Sequence, residues 1–179
     1  MILPIKAKRL YIAEFNENMA ESVHIGSLDE DNRRFVPDEV FETVEEAKET
    51  ITTLISFYGQ KDVPLVYPVF LNDGQHIGHV QAIPVEIGWE IGYHIAKPFA
   101  GKGYATEAVS AFLRPVMSFL GISKIFGICH ADNIASCKVL EKCGFVLEFE
   151  GHDLYQGVKQ QIRRYKNYCE FAQLEKMND

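Results

Sequence analysis

Trp89-Glu90-Ile91-Gly92-Tyr93-His94-Ile95 and then Ala100-Gly101-Lys102-Gly103-Tyr104-Ala105-Thr106-Glu107-Ala108 read as a strand, a glycine-rich turn and the start of a helix. In the strand, alternation puts Trp89, Ile91, Tyr93 and Ile95 on one face and Glu90 and His94 on the other. The helix runs from Tyr104 to Leu120, with Ala105, Ala108, Val109, Phe112, Val116 and Phe119 on a common apolar face and Pro115 expected to kink it near its end. A helix start leaves backbone N–H groups without internal partners and carries about half a positive charge, which suits a phosphate. Gly101 and Gly103 remove side chains where phosphate oxygens would sit, and Lys102 adds a charge. Taken alone, the same residues equally describe a plain turn into a helix. Two other phosphate motifs fail. The Gly101-Lys102 pair is followed by Gly103 rather than Ser or Thr, which excludes a Walker A loop, and Thr106 stands where a dinucleotide fingerprint needs glycine.

Working outward, Lys8 to Ala13 reads as a strand and Asn16 to Gly26 as a short helix, followed by an acidic loop from Ser27 to Glu39. Thr43-Val44-Glu45-Glu46 is a capping box, in which the threonine hydroxyl accepts from an amide three residues on while Glu46 reaches back. The helix it opens carries Val44, Ala47, Ile51, Leu54, Ile55 and Tyr58 on one face and is closed by Gly59. Leu65–Leu71 and His76–Ile83 flank Asn72-Asp73-Gly74-Gln75 and predict an antiparallel hairpin, with Pro68 marking an irregular or edge position. Beyond the central helix come a strand at Ile125–Cys129, a helix capped by Asn133 and closed by Gly144, and two strands at Phe145–Phe149 and Gln160–Tyr168 around a turn at Gly151–Gly157. The expected fold class is α+β in three layers: a mixed, mostly antiparallel central sheet of about seven strands flanked by helices.

The absence of repeats and linkers predicts one domain over residues 1–179. With 18 Lys and Arg against 25 Asp and Glu, the formal charge is -7, so no nucleic-acid partner is expected. No stretch reaches the roughly 20 apolar residues of a membrane span, and the N-terminus lacks a signal-peptide core, which predicts a cytoplasmic protein without a membrane partner. Cys129, Cys137, Cys143 and Cys169 contain no C-x-x-C pair and are expected as reduced thiols. His76 and His79 lie in a strand, without helical H-E-x-x-H spacing, so no metal is proposed.

The strand–turn–helix of residues 90–95 and 101–108 resembles the acyl-CoA site of the GNAT superfamily of N-acyltransferases. Asn133-Ile134-Ala135-Ser136 with Val139-Leu140-Glu141-Lys142-Cys143-Gly144-Phe145 resembles that superfamily's next helix, especially in the branch of ribosomal-protein N-terminal acetyltransferases. One departure is Ala100, which stands where the superfamily pattern [QR]-x-x-G-x-[GA] begins with a polar residue. The resemblance implies a GNAT-like acyl-CoA N-acyltransferase fold and acetyl-CoA as co-substrate. Main-chain groups near His94 and Ile95 would pair with pantetheine in a gap between two strands. The turn formed by Gly101, Lys102, Gly103, Tyr104 and Ala105 would receive the diphosphate, and Asn133 would hold pantetheine.

For chemistry, Ser136 is placed to donate toward the departing sulfur, or serves as a small residue for close packing. Many GNAT enzymes carry a tyrosine acid where this chain has Leu140. Glu90 is the preferred base, ahead of His94, for which a structural role is expected. Asp29, Glu30, Asp31 and Glu39 could steer a cationic acceptor or simply form a solvated face. The expected reaction moves an acetyl group to a primary amine, either a protein or peptide N-terminus or a small amine, in a monomer or homodimer. The alternative is a non-catalytic acyl-CoA-binding sensor.

Overall fold

A computed structural model of the chain describes residues 1–169. Among the described residues eight strands form a single sheet: β1 (Ile5–Lys6), β2 (Leu10–Ile12), β3 (Leu65–Leu71), β4 (His76–Val85), β5 (Gly88–Ile95), β6 (Lys124–His130), β7 (Val146–Tyr155) and β8 (Val158–Tyr168). Their spatial order is β1-β2-β3-β4-β5-β6-β8-β7, and every pairing is antiparallel except β5 with β6. The short β1, which the residue pattern did not signal, raises the count from about seven to eight. Among the described residues no helix is long and apolar enough to cross a membrane.

Helices cover both faces, which gives the three layers. On one side α4 (Tyr104–Leu120) and α5 (Ile134–Lys142) press Phe112, Val116 and Leu140 onto Tyr67, Val80, Ile91 and Ile125. On the other, Ala20 of α1 (Ala20–Ser27) and Ile51 of α3 (Val44–Phe57), with Phe15 and Met19 just ahead of α1, pack on Val66. The period of two in β3 supplies both cores, since Leu65, Tyr67 and Val69 face α4 while Val66 faces the α1 and α3 side. Helix α4 passes through Pro115 without interruption and ends at Gly121, whose φ of 70° suits glycine.

Several local expectations change in detail. The run read as an acidic loop contains α2 (Glu30–Phe35), because the Asp29 carboxylate caps it by accepting from the Asn32 amide at 3.0 Å. In the capping box of α3, Thr43 accepts from the Glu46 amide at 3.2 Å, but Glu46 reaches back one residue further, to the Glu42 amide at 2.7 Å. Pro68 lies in an interior strand, and the irregularity is a register shift between Val69 and Phe70. Pro68 stands next to the last β2 pair, Ile12 with Val69, where its missing donor falls at the ladder's end. The turn read as Gly151–Gly157 shrinks to Gln156-Gly157, both at positive φ, and β7 and β8 extend to meet it.

Gly78 fixes the end of β5. Its φ is 151°, and an added Cβ would fall inside contact distance of the His94 carbonyl and the Ile95 backbone. Backbone cannot yield as a flexible side chain can. Gly78→Ala is therefore expected to lose about 3 kcal/mol or more of stability in urea unfolding.

Candidate active site

Strand β5 is paired with β4 along its whole length, from Val85 with Gly88 to Gly78 with Ile95. Strand β6 is likewise paired with β8, from Lys124 with Tyr168 to His130 with Ile162. Between them β5 and β6 share one residue pair, Glu90 with Phe126, and part beyond it. The Ala96 amide donates to the Ile77 carbonyl at 2.9 Å. Alternation along the strand then directs the main chain of His94 to β4 and that of Tyr93 and Ile95 into the gap. Of the two residues expected near pantetheine, Ile95 thus turns its main chain into the gap together with Tyr93, while His94 turns its own toward β4. Buried main-chain groups require partners, and an extended amide-bearing chain lying in the gap could supply them. The cleft around this gap has a volume of about 1380 Å³.

The glycine-rich turn stands at the end of that gap. Gly101 and Gly103 have φ of 75° and 82°, and a Cβ at Gly101 would meet no protein atom. Helices α2, α3 and α5 each begin with a side chain accepting from their first turn, but α4 begins at Gly103 with none. Among the described residues no hydrogen bond engages the amides of residues 101–106, and the first helical bond is that from Glu107 to the Gly103 carbonyl. These amides, at the positive end of the longest helix described, fit a diphosphate. Lys102 turns back, its ammonium donating to the Pro98 carbonyl at 2.9 Å.

The turn is braced by a residue that sequence reading passed over. The Arg9 main-chain amide and Nε donate to the two carboxylate oxygens of Glu107, each at 2.6 Å, and Nη1 donates to the Lys102 carbonyl at 2.9 Å. The guanidinium also lies 4.5 Å from the centre of the Tyr104 ring. Burial acts to raise the pKa of Glu107, but the Arg9 hydrogen bonds outweigh it and hold the carboxylate below its ordinary range. Nothing local at Arg9 signals this role, because its partners lie more than ninety positions away.

Glu90 is buried, with 5% of its surface exposed. Loss of hydration raises its pKa to about 8, against a hydrogen bond from Tyr155 that favours ionisation, while Glu39 and Asp38 add to the rise. Glu39 accepts from Gln81 Nε2 at 2.7 Å and lies 3.3 Å from His79 Nε2. Burial acts to raise its pKa too, but these partners bring it below the ordinary value. His94 Nε2 lies 3.3 Å from Asp29 Oδ2, and burial lowers the imidazole's pKa despite that partner. Three of the four acidic residues read as steering groups therefore have other partners: Asp29 has the α2 cap and His94, Glu39 has Gln81 and His79, and Asp31 pairs with Lys97.

Ser136 lies one turn into α5, and Asn133 Oδ1 accepts from its amide at 3.0 Å, which leaves the Asn133 NH₂ free to donate. The Tyr93 hydroxyl lies 2.9 Å from both Ser136 Oγ and the Ser136 carbonyl. Burial raises the pKa of Tyr93, which keeps the phenol protonated. Tyr93 thus joins β5 to α5 across the cleft, a contact that the strand's apolar alternation concealed. Leu140 is buried against Gly127, where a Cβ would collide with its side chain, so no proton donor stands there.

A sheet that opens between two parallel strands beside an uncapped, glycine-led helix is the arrangement expected from the resemblance to acyl-CoA N-acyltransferases. The chain belongs to the GNAT acetyltransferase family, whose domain matches residues 9–146. It is 31% identical over 143 residues to the uncharacterized N-acetyltransferase YnaD of Bacillus subtilis, covering 78% of this chain and 81% of that one. A GNAT-family acetyltransferase structure from Bacillus anthracis superposes with a TM-score of 0.78 at 27% identity, covering 93% of this chain and 98% of the other. The fold is also that of RimL, the ribosomal L7/L12 α-N-protein acetyltransferase in complex with coenzyme A, with a TM-score of 0.77 at 20% identity over 95% of this chain and 99% of that one. The protein is an acetyltransferase that uses acetyl-CoA as co-substrate.

Two outcomes follow from the geometry. Arg9→Ala is expected to weaken acetyl-CoA binding on the order of tenfold in titration calorimetry, since charge-assisted bonds that shape the turn are lost, and Arg9→Lys to recover only part. The second concerns Glu90, whose folded pKa of about 8 lies above its ordinary 4.5. The folded state holds a proton that the unfolded chain has released, so stability falls as pH rises between these values. Glu90→Gln removes that slope. Its melting temperature is expected to match wild type near pH 4 and to exceed it increasingly up to about pH 8, in thermal unfolding followed across that range.

Proposed function

We propose that this enzyme acetylates a primary amine, a protein N-terminal α-amino group or a small-molecule amine, by direct attack in a ternary complex. Glu90 takes one proton from the ammonium form of the amine and passes it to solvent, the neutral nitrogen attacks the thioester carbonyl to give a tetrahedral intermediate, and its collapse breaks the carbon–sulfur bond as nitrogen gives up its second proton to the freed carboxylate. Negative charge grows on the carbonyl oxygen during attack, and a main-chain N–H on the free edge of β5 suits it as a donor. The departing sulfur leaves as thiolate, or takes a proton from Ser136, which recovers one from solvent. The turn amides of residues 101–105 hold the diphosphate, Asn133 donates to pantetheine, and the chain acts as one domain in the cytoplasm.

The observation that carries this reading is a buried carboxylate at the last residue pair before the sheet opens. Its pKa of about 8 matches that of an α-amino group, about 7.7 to 8.0, more closely than that of a lysine side chain, about 10.4. Proton transfer from the former is nearly balanced in energy, which favours N-terminal amines and similarly weak bases.

A panel of a serine-initiated peptide, spermidine and glucosamine, followed by release of free thiol from acetyl-CoA, tests the proposal. Acceptor-dependent release is expected, with a rate that rises through about pH 8 and falls about a hundredfold or more in Glu90→Gln. Acetyl-CoA that binds but stays intact with every amine would point instead to a sensor.

A further inference from the structure

Tyr155 ends β7 at the tight turn into β8, and its side chain crosses to the point where the sheet opens. The hydroxyl lies 3.2 Å from Glu90 Oε1 and 3.2 Å from the Ile128 carbonyl oxygen. One side chain thus bridges β5 and β6 just where they part. Pairing of Tyr155 with Val158, together with Gln160 Nε2 donating to the Tyr155 carbonyl at 3.2 Å, fixes the residue's backbone.

A phenol has a single proton to donate. When Glu90 is ionised, that proton can turn to the carboxylate. When Glu90 is protonated, the carboxyl group can donate to the phenolic oxygen, and the phenol to Ile128. The phenol then keeps a hydrogen-bond partner for its own proton in either charge state of Glu90, which a hydroxyl at a buried group that changes charge in every cycle requires.

We propose that Tyr155 is a positioning residue for acetyl transfer, holding Glu90 toward the acceptor amine through a phenolic hydrogen bond that switches between Glu90 Oε1 and the Ile128 carbonyl. The proposal rests on the reading of Glu90 as base. The phenolic proton rotates and is not transferred; the amine proton passes to Glu90 and then to solvent. Tyr155 from β7 faces Glu90 with Asp38 and Glu39 from the turn before α3, while β4 and β6 pair with it through the uncharged Ile83 and Phe126. Arg164 of β8 is engaged by Glu148 at 3.1 Å and Asp153 at 3.4 Å. Asp38 and Glu39 oppose ionisation of Glu90 and the phenol favours it, so removal of the hydroxyl makes ionisation harder.

The test is carboxyl NMR of protein labelled at glutamate, with the Glu90 signal identified by its loss in Glu90→Gln, alongside pH–rate profiles with the fastest acceptor of the amine panel. In Tyr155→Phe the Glu90 midpoint and the rate profile are expected to move together to higher pH by about one unit, a tenfold change in ionisation, with KM for acetyl-CoA unchanged. 3-Fluorotyrosine at position 155 is nearly isosteric and a stronger donor, and is expected to move both downward. It serves equally well should Tyr155→Phe fail to fold. A Glu90 midpoint that stays in place in these proteins overturns the role of Tyr155 while leaving Glu90 as base. A Glu90→Gln enzyme that keeps its rate and pH profile overturns the base and the positioning role together.

Discussion

The divergence of β5 from β6 after Glu90 is the feature on which the remainder of the site depends. Each strand is fully paired on its outer edge, so the inner edges can separate without unravelling the sheet. What separation costs is hydrogen bonding, because main-chain groups of Tyr93 and Ile95 turn into the gap. Under the proposed mode of binding, a substrate with its own amides occupying the space would recover that cost.

Side chains that span the gap keep it open to a defined width. Tyr93 reaches from β5 to Ser136 on α5, and Tyr155 reaches from β7 to both Glu90 and Ile128. At the far end, Arg9 just ahead of β2 clamps the turn before α4 through Lys102 and Glu107. Each contact ties two elements far apart in the chain to one edge of the cleft, so geometry at the reacting atoms depends on packing across the whole sheet. The apolar layers of α4 and α5 beneath it supply the rigidity.

Glu90 illustrates how the same burial serves two ends. Exclusion of water raises the pKa of the carboxylate toward neutrality and thereby reduces stability at alkaline pH. A surface glutamate would be ionised at neutral pH and too weak a base to hold a proton taken from an amine. The alternation that placed Glu90 and His94 on one face said that they could line a cleft, but it could not separate their roles. His94 is engaged by Asp29, a residue sixty-five positions away, while Glu90 meets the Tyr155 phenol, the Ile128 main chain and the neighbouring carboxylates Glu39 and Asp38.

Periodicity and turn chemistry are local, and they made much of the fold legible. The hairpin of β3 and β4, the capping of α3 and α5, the bounds of α4 and the glycine-rich turn before it follow from residues within a few positions of one another. A short strand such as β1 carries too few residues to establish a period, and the cap at Asp29 was hidden in an acidic run, so both escaped. The residues of the candidate site divide the same way: the turn at 101–105, Asn133, Ser136 and Glu90 could be named from pattern and resemblance. Arg9, Tyr93 and Tyr155 could not, since nothing near them in the chain indicates which distant group their polar atoms meet. By itself the sequence determined most of the elements and their order along the chain, because backbone preferences are set by neighbours. Only the tertiary structure decided which side chains face one another across the open sheet and how far burial moves their proton affinities, because contact and dielectric environment arise from packing rather than from adjacency.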